Sequence, residues 1–451
     1  MKRIHWLSVF VILFILSGCS GDLQIQRPTP LPPLMMPTTA TSPEPAASAT
    51  PLASNQPTAT ALATMPTRSQ VLPAPLYFID AGQVQRLEVD AQTITQITNE
   101  VPASRYQAAV TALDVSPVDG SLAYVVEQID GSVLVQTDLQ GQSRHVLFSL
   151  PNGAISHPRW SPHGSEIAVR LSPDPDTQIN LVSGVYAIAA TQTTTQTVSP
   201  TLESEANRVI LPVVVSGSNY TLLAADDSSD LEVNPAPFAY APNSWSPDGN
   251  RLLLDGQHQF AHVCKALIKD LATDHLFPLA PADADAMTTA CNQSVWSQDS
   301  SSLYANMQPI GQTVLIPGLW RSDAVTGGSE QIFPGQDQGE SLLITAPKQG
   351  PDDQIYFFMS RTTQTPDPTY TPPLQYTMYR ASGGGTGEFE ALRNERDVLR
   401  FVLWDEAARG AVVMRIEVTT PVLVWLPVDG SAAVELPVSG YDVNDMRWGK
   451  P

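Results

Sequence analysis

The phrase Trp245-Ser246-Pro247-Asp248-Gly249-Asn250, followed by Arg251-Leu252-Leu253-Leu254, does most to limit what this chain can fold into. An aromatic residue ends one strand, Pro and Asp set up a tight turn, Gly supplies the positive φ that closes it, and an apolar strand leaves. The phrase recurs. Trp160-Ser161-Pro162-His163-Gly164 leads into Glu166-Ile167-Ala168-Val169, and Trp296-Ser297-Gln298-Asp299-Ser300 leads into Leu303-Tyr304-Ala305. Ser116-Pro117-Val118-Asp119-Gly120 leads into Leu122-Ala123-Tyr124-Val125, and Trp404-Asp405-Glu406 leads into Ala411-Val412-Val413-Met414. A lone hairpin is marginal in water, so a chain that repeats one must pack the copies against each other.

The landmarks fall near residues 116, 160, 245, 296, 346, 404 and 448. Repeats of roughly 50 residues mean a propeller or an array rather than separate domains. The interval from 160 to 245 is about twice the usual one, so a degenerate unit fits near Asn207-Arg208-Val209-Ile210-Leu211. Each unit has room for four strands; in the cleanest they run 121–127, 132–137 and 145–150, then the strand into Trp160. The ends are complementary. From Leu76 there are three strands with no landmark strand before them, and the chain closes on Val443-Asn444-Asp445-Met446-Arg447-Trp448 with no strands after it. Pairing the two ends completes a blade and removes the exposed edges of an open array. The expected fold is an all-β closed propeller of about eight four-stranded blades, or seven if the weak unit is an insertion.

The repeated phrase, carried by Trp160, Pro162 and Gly164 and by Trp245, Pro247, Asp248 and Gly249, resembles the repeat of TolB-like β-propellers. This WD-repeat-like family is also found in the propellers of prolyl oligopeptidase relatives. The resemblance covers 76–451, most strongly 157–170 and 242–254, and implies a propeller. The family's namesake carries an N-terminal α/β domain where this chain has other material, so its partner and envelope role are not carried over.

Residues 1–18 read as a lipoprotein signal peptide: Lys2 and Arg3 precede the apolar run 6–16, too short for a bilayer span and suited to a secretory core. The run ends in Leu16-Ser17-Gly18-Cys19, which resembles a bacterial lipobox with Cys19 as the lipidated residue. A modified N-terminal Cys with two or three acyl chains anchors stably. Residues 19–75 are rich in Pro, Thr, Ser and Ala and poor in charge, a composition that cannot bury a core and is expected to stay a disordered linker. Its reach is about 40 Å as a flexible coil and up to about 170 Å as polyproline helix. The expected location is therefore the extracytoplasmic side of a bacterial membrane.

A formal net charge of -21 excludes nucleic acid and anionic lipid headgroups as partners of the folded surface. Trp160, Trp245, Trp296, Trp404 and Trp448 hold a fixed place before a turn, which argues for packing between blades over sugar platforms. Besides Cys19, the cysteines are Cys264 and Cys291, and in an exported protein a disulfide is expected. It would close a loop of about 27 residues and contribute about 3 kcal/mol. The alternatives are free thiols, or a metal on His258, His262 and Cys264, whose strand spacing is too wide to share an ion without a bend. The acidic clusters at Asp174 and Asp176, at Asp226, Asp227 and Asp230, at Asp283 and Asp285, and at Asp352 and Asp353 lack EF-hand spacing. Gly383-Gly384-Gly385-Thr386-Gly387 lacks the Lys-Ser/Thr of a phosphate loop. There is no Gly-x-Ser-x-Gly elbow.

The expected function is a monomeric binding scaffold, without cofactor, metal or catalysis, that holds an envelope or extracellular protein or peptide. Candidate contact loops are 174–183, 283–292 and 362–377. The alternative is a carbohydrate-binding or carbohydrate-active propeller, marked by two channel carboxylates about 5 to 9 Å apart; an apolar or mixed channel marks the binding module.

Overall fold

The computed structural model describes residues 70–450 apart from 105–106, 175–180, 192–215, 218, 227–237, 259–263, 282–286, 310–317, 363–374, 383–387, 394–396, 418–419 and 440–444. The signal, lipobox and linker expectations, the Gly383–387 run and most of the three contact loops lie outside the described residues or side chains. Within the described residues all regular structure is β-strand.

The recurring hairpin forms as its chemistry dictates. After Trp245, the Ser246 hydroxyl accepts from the Arg251 amide at 2.9 Å and donates to Asp248 at 2.6 Å. The Gly249 amide donates to the Ser246 carbonyl at 2.8 Å, and Gly249 has φ +72°. The Ser246 amide also donates to the Arg251 carbonyl at 2.9 Å, and the matching amide-to-carbonyl bond joins Ser116 to Ser121, Ser161 to Glu166, Ser297 to Ser302 and Asp405 to Gly410, at 2.8 to 3.0 Å. After Trp404 the Asp405 carboxylate does the work of the serine hydroxyl, accepting from the Gly410 amide at 3.0 Å. At Gly249 an added Cβ would lie 2.8 Å from His163 Nε2, so this turn is seated on the turn of the preceding blade.

Each hairpin opens a four-stranded antiparallel blade, and there are seven. Blade 1 is Leu76–Asp80, Gln83–Leu87 and Ile94–Gln96, completed by Met446–Trp448, whose residues pair Trp448 with Leu76, Arg447 with Tyr77 and Met446 with Phe78. Blade 2 is Val110–Val115, Leu122–Gln128, Gly131–Thr137 and His145–Pro151; blade 3 is Gly153–Trp160, Glu166–Pro173, Gly184–Ala189 and Tyr220–Ala225. Blade 4 is Phe238–Trp245, Arg251–His258, Cys264–Asp270 and His275–Pro278; blade 5 is Met287–Trp296, Ser302–Pro309, Gly318–Asp323 and Ser329–Phe333. Blade 6 is Glu340–Gln349, Gln354–Thr362, Gln375–Ser382 and Phe389–Ala391; blade 7 is Asp397–Trp404, Gly410–Glu417, Thr420–Pro427 and Val434–Ser439. The ring is thus closed by N-terminal strands and a C-terminal one in the same sheet.

Of the two expected counts, about eight or seven, the structure has seven. Among the described residues the long interval between Trp160 and Trp245 holds one blade, whose third and fourth strands are separated by residues 190–219 and which packs directly on the blade of Trp245. Residues 207–211 lie outside the described residues. The cores agree: buried apolar side chains form seven clusters, one at each junction from blades 1 and 2 round to blades 7 and 1. The last junction packs Leu76, Phe78 and Met446 against Val412, Leu423 and Trp425, with Trp425 and Trp448 edge to face at 5.5 Å. Apolar burial at every junction, rather than within any one blade, makes the ring the folding unit.

Cys264 is buried and disulfide-bonded, at the start of its strand and opposite Thr289 of blade 5. The side chains of Cys291, His258 and His262 lie outside those described.

Candidate functional site

The strand entering each hairpin is the innermost of its blade, and six of the seven carry a register shift near their middle, at Val110/Ala112, Ser156/Arg159, Pro242/Ser244, Thr289/Ser294, Thr345/Lys348 and Leu399/Phe401. Bulges bend a strand and re-aim its side chains. His157 and Ala346, at two of these shifts, have φ of +53° and +47°. Beyond the shift, the residue two positions before Ser116, Ser161, Ser246, Ser297, Gly350, Asp405 or Gly449 in each blade lines one common cavity of about 830 Å³. Round the ring these residues are Arg447, Asp114, Arg159, Ser244, Val295, Lys348 and Leu403. Since every innermost strand contributes, the cavity is the channel of the propeller, and Pro117, Pro162 and Pro247 of the hairpin turns bring it to the surface.

The charges are unevenly placed. Arg447, between blades 7 and 2, donates from Nε to Asp114 Oδ1 at 3.1 Å and pairs through Nη1 with Asp445 Oδ1 at 2.7 Å. Asp114 also accepts from the Trp160 amide at 2.6 Å, and Asp445 from the amides of Leu113 at 3.2 Å and Met446 at 3.0 Å. Burial raises the Asp114 carboxyl above the usual range against the pull of Arg447 and Arg159. Burial also opposes the charge on Arg447, but Asp445 and Asp114 more than offset it. Both acids are therefore held as links between blades 1, 2 and 3.

Arg159 differs. Its Nε donates to the Asn243 carbonyl at 2.6 Å and its Nη1 to the Pro158 carbonyl at 2.7 Å, and no carboxylate of the described residues comes within ion-pair distance. Burial, with Arg447 adding repulsion, lowers it to about 10. Next to it His157 is lowered to about 4 by burial and then by Arg159, so it is neutral at physiological pH. Lys348 stands across the ring on blade 6, between Val295 of blade 5 and Leu403 of blade 7. Burial lowers its amine below the ordinary lysine value, opposed by Glu406 and Asp405, and its Nζ has no hydrogen-bond or ion-pair partner among the described residues. Trp160, Trp245, Trp404, Phe401 and Tyr376 supply the apolar part of the wall.

Of the sequence-identified residues, Trp160, Trp245, Trp404, Pro162 and Pro247 line the cavity, while Gly164, Asp248 and Gly249 lie in the hairpin turns below the rim. Trp296 and Trp448 pack at the junctions of blades 4 with 5 and 7 with 1. Three indoles also stitch the ring: Trp245 Nε1 donates to the Arg159 carbonyl at 2.9 Å, Trp296 Nε1 to Ser244 at 3.1 Å and Trp404 Nε1 to Ala346 at 2.7 Å, each in the preceding blade. Among the described residues no three His, Cys, Asp or Glu side chains converge as metal ligands would. Arg159, Lys348, Arg447, Asp114 and Asp445 were not singled out from sequence. A signal was available for Arg159 and Arg447, which directly precede Trp160 and Trp448.

No family model matches the chain, and no curated protein does. Solved structures do. The chain is similar to TolB from Acinetobacter baumannii at 15% identity, covering 82% of this chain and 79% of that one, with a TM-score of 0.40. It is similar to prolyl oligopeptidase B from Galerina marginata at 11% identity, covering 80% of this chain and 48% of that one, with a TM-score of 0.51. It is similar to an oligogalacturonate lyase from Vibrio parahaemolyticus at 11% identity, covering 81% and 85%, with a TM-score of 0.45. The chain spans about half the length of the peptidase. With the recurring hairpin and seven closed blades, the fold is a β-propeller, and the likeness to these structures is one of fold. The expectation that the chain is not an enzyme is corrected: a prolyl oligopeptidase shares the fold at a TM-score of 0.51, so the fold and the missing hydrolase elbow give no ground for excluding chemistry.

Proposed function

We propose that this chain is a membrane-anchored, extracytoplasmic scaffold that holds a protein or peptide segment at the mouth of its propeller channel. The observation that carries this reading is the mixed lining of the cavity: aromatic and aliphatic walls, two cations with no carboxylate of the described residues within ion-pair distance, and two carboxylates already held by Arg447. Mixed pockets with few, well-placed polar groups suit a side chain or a chain end. A glycosidase-like site needs two carboxylates free to serve as acid and as base or nucleophile. Asp114 and Asp445 are instead tied to one guanidinium and to backbone amides. A lipid on Cys19 and the 19–75 linker would hold the rim away from the membrane, and Cys264 would be bridged to Cys291.

The test uses the full chain in its host. After mild cross-linking and affinity capture, the wild type should retain one envelope protein or peptide in stoichiometric amount. The rim variant Pro162→Glu/Pro247→Glu should lose it without unfolding. Equal capture by both would place binding away from the channel and sink the proposal. In the same cells, Cys19→Ser should abolish palmitate incorporation.

A further inference from the structure

A chain with 45 Asp and Glu residues against 24 Lys and Arg has acids to pair with every cation it buries. Most of its arginines follow that rule: Arg170 pairs with Asp226, Arg251 with Asp270, Arg380 with Glu390 and Arg447 with two aspartates. Two cations of the channel do not. Among the described residues, Arg159 gives its hydrogen bonds to backbone carbonyls only, and Lys348 gives none. Both stand two positions before the first turn residue of their hairpin, Ser161 and Gly350, and both line the cavity. Lys348 has Val295 and Leu403 at the matching positions of the neighbouring blades, and the acids that act on it, Glu406 and Asp405, stand beyond ion-pair distance. A half-buried cation whose nearest carboxylates stand beyond ion-pair distance is only partly compensated, and a well-packed apolar residue of the same size would serve stability better.

We propose that the channel is a carboxylate-binding site and that its occupant is an acidic peptide segment, whose carboxylate is taken by Lys348 with Arg159 as the second cation across the cavity. This rests on the protein- or peptide-binding reading above and gives it a chemistry. The lining favours a peptide over an acidic sugar. The wall on the Lys348 side includes Phe401, Leu403, Tyr376 and Val295, which suits apolar side chains flanking an acid. The cavity, at about 830 Å³, has room for several residues of extended chain.

The test is capture from pooled random octapeptides by the full-length protein, with sequencing of what is retained. One pool has free C-termini and one amidated C-termini, which separates a side-chain carboxylate from a chain end. The expected result is at least tenfold enrichment of Asp or Glu beside apolar residues, or of free over amidated termini. Lys348→Met should abolish the enrichment, and Lys348→Arg should keep most of it. Lys348→Met should also raise Tm, since it removes an unpaired desolvated charge; a lysine with only a structural role would give the opposite sign. Peptides retained without acidic preference would overturn the carboxylate site while leaving peptide binding intact. No retention by a folded protein would overturn both. Binding of digalacturonate in place of any peptide, lost in Lys348→Met, would overturn the peptide occupant.

Discussion

The indole N–H of Trp245 donates to the backbone carbonyl of Arg159, 2.9 Å away and one blade back. The bond couples a repeated aromatic residue to the backbone of the very position whose side chain faces the channel. Trp296 and Trp404 make the equivalent bonds, whereas the Nε1 of Trp160 is buried without a partner. Trp245→Phe should therefore cost about 1 kcal/mol more than Trp160→Phe, because both lose the same ring volume and only the first loses a hydrogen bond. Paired denaturant titrations measure the difference; equal losses would mean that the indole bonds contribute nothing.

The C-terminal strand has only three residues, yet it closes the ring. Met446 is buried against Leu76 and Phe78, and Arg447 ties blades 1 and 2 together. Met446→Ala should cost about 2 to 5 kcal/mol, the range for emptying a core methionine site. Removing 446–451 should expose the edge of Leu76–Asp80 and the innermost face of the junction with blade 7, and promote self-association. Size-exclusion chromatography and thermal melts check both. A truncated chain that melted like the wild type would contradict the closure.

Acid should loosen the hairpins. Desolvation works to raise Asp248, but hydrogen bonds from Ser246 and Asn250 hold it below the usual carboxylate value; Asp299 is held down first by Ser297 and then by Ser301. A folded pKa below the unfolded one stabilises the protein above the unfolded value, about 3.9, and that stability is lost as pH falls through the folded value. Asp114, raised by burial, has the opposite sign and partly offsets the trend. Between pH 5 and pH 3, Tm should fall less steeply in Asp248→Asn/Asp299→Asn than in the wild type. An unchanged slope would remove these turns from the acid response.

Cys264 starts a strand that pairs with blade 5 as well as with its own blade, opposite Thr289 and Thr288. If its disulfide partner is Cys291, non-reducing peptide mapping returns one cross-linked species, and Cys264→Ser costs about 3 kcal/mol as the closed loop is released. A Cys264 mapped to any other cysteine would refute the pairing.

How far the sequence reaches is clear at particular residues. The hairpins at Trp160, Trp245 and Trp296 were legible because turn chemistry is local, and ring closure was legible because strands missing at one end appear at the other. The blade count was less so: a doubled interval is the same whether it holds a sheet or an insertion, and only the junction of blades 3 and 4, where Ala168 and Val185 meet Tyr240 and Trp245, decides it. The channel was the least legible part. Asp114, Arg159, Lys348 and Arg447 come from four blades, and hundreds of residues of intervening chain hide a neighbourhood that exists only once the ring is closed.

The central claim is that the channel mouth is the working face. A photo-cross-linking amino acid placed in the living host at Pro162 or Pro247, on the rim, or at Tyr220 or Leu222, on the exposed outer strand of blade 3, tests it most directly. The account predicts one discrete adduct from both rim positions, weakened by Lys348→Met, and none from the outer strand. Adducts from Tyr220 or Leu222 with a silent rim would contradict it.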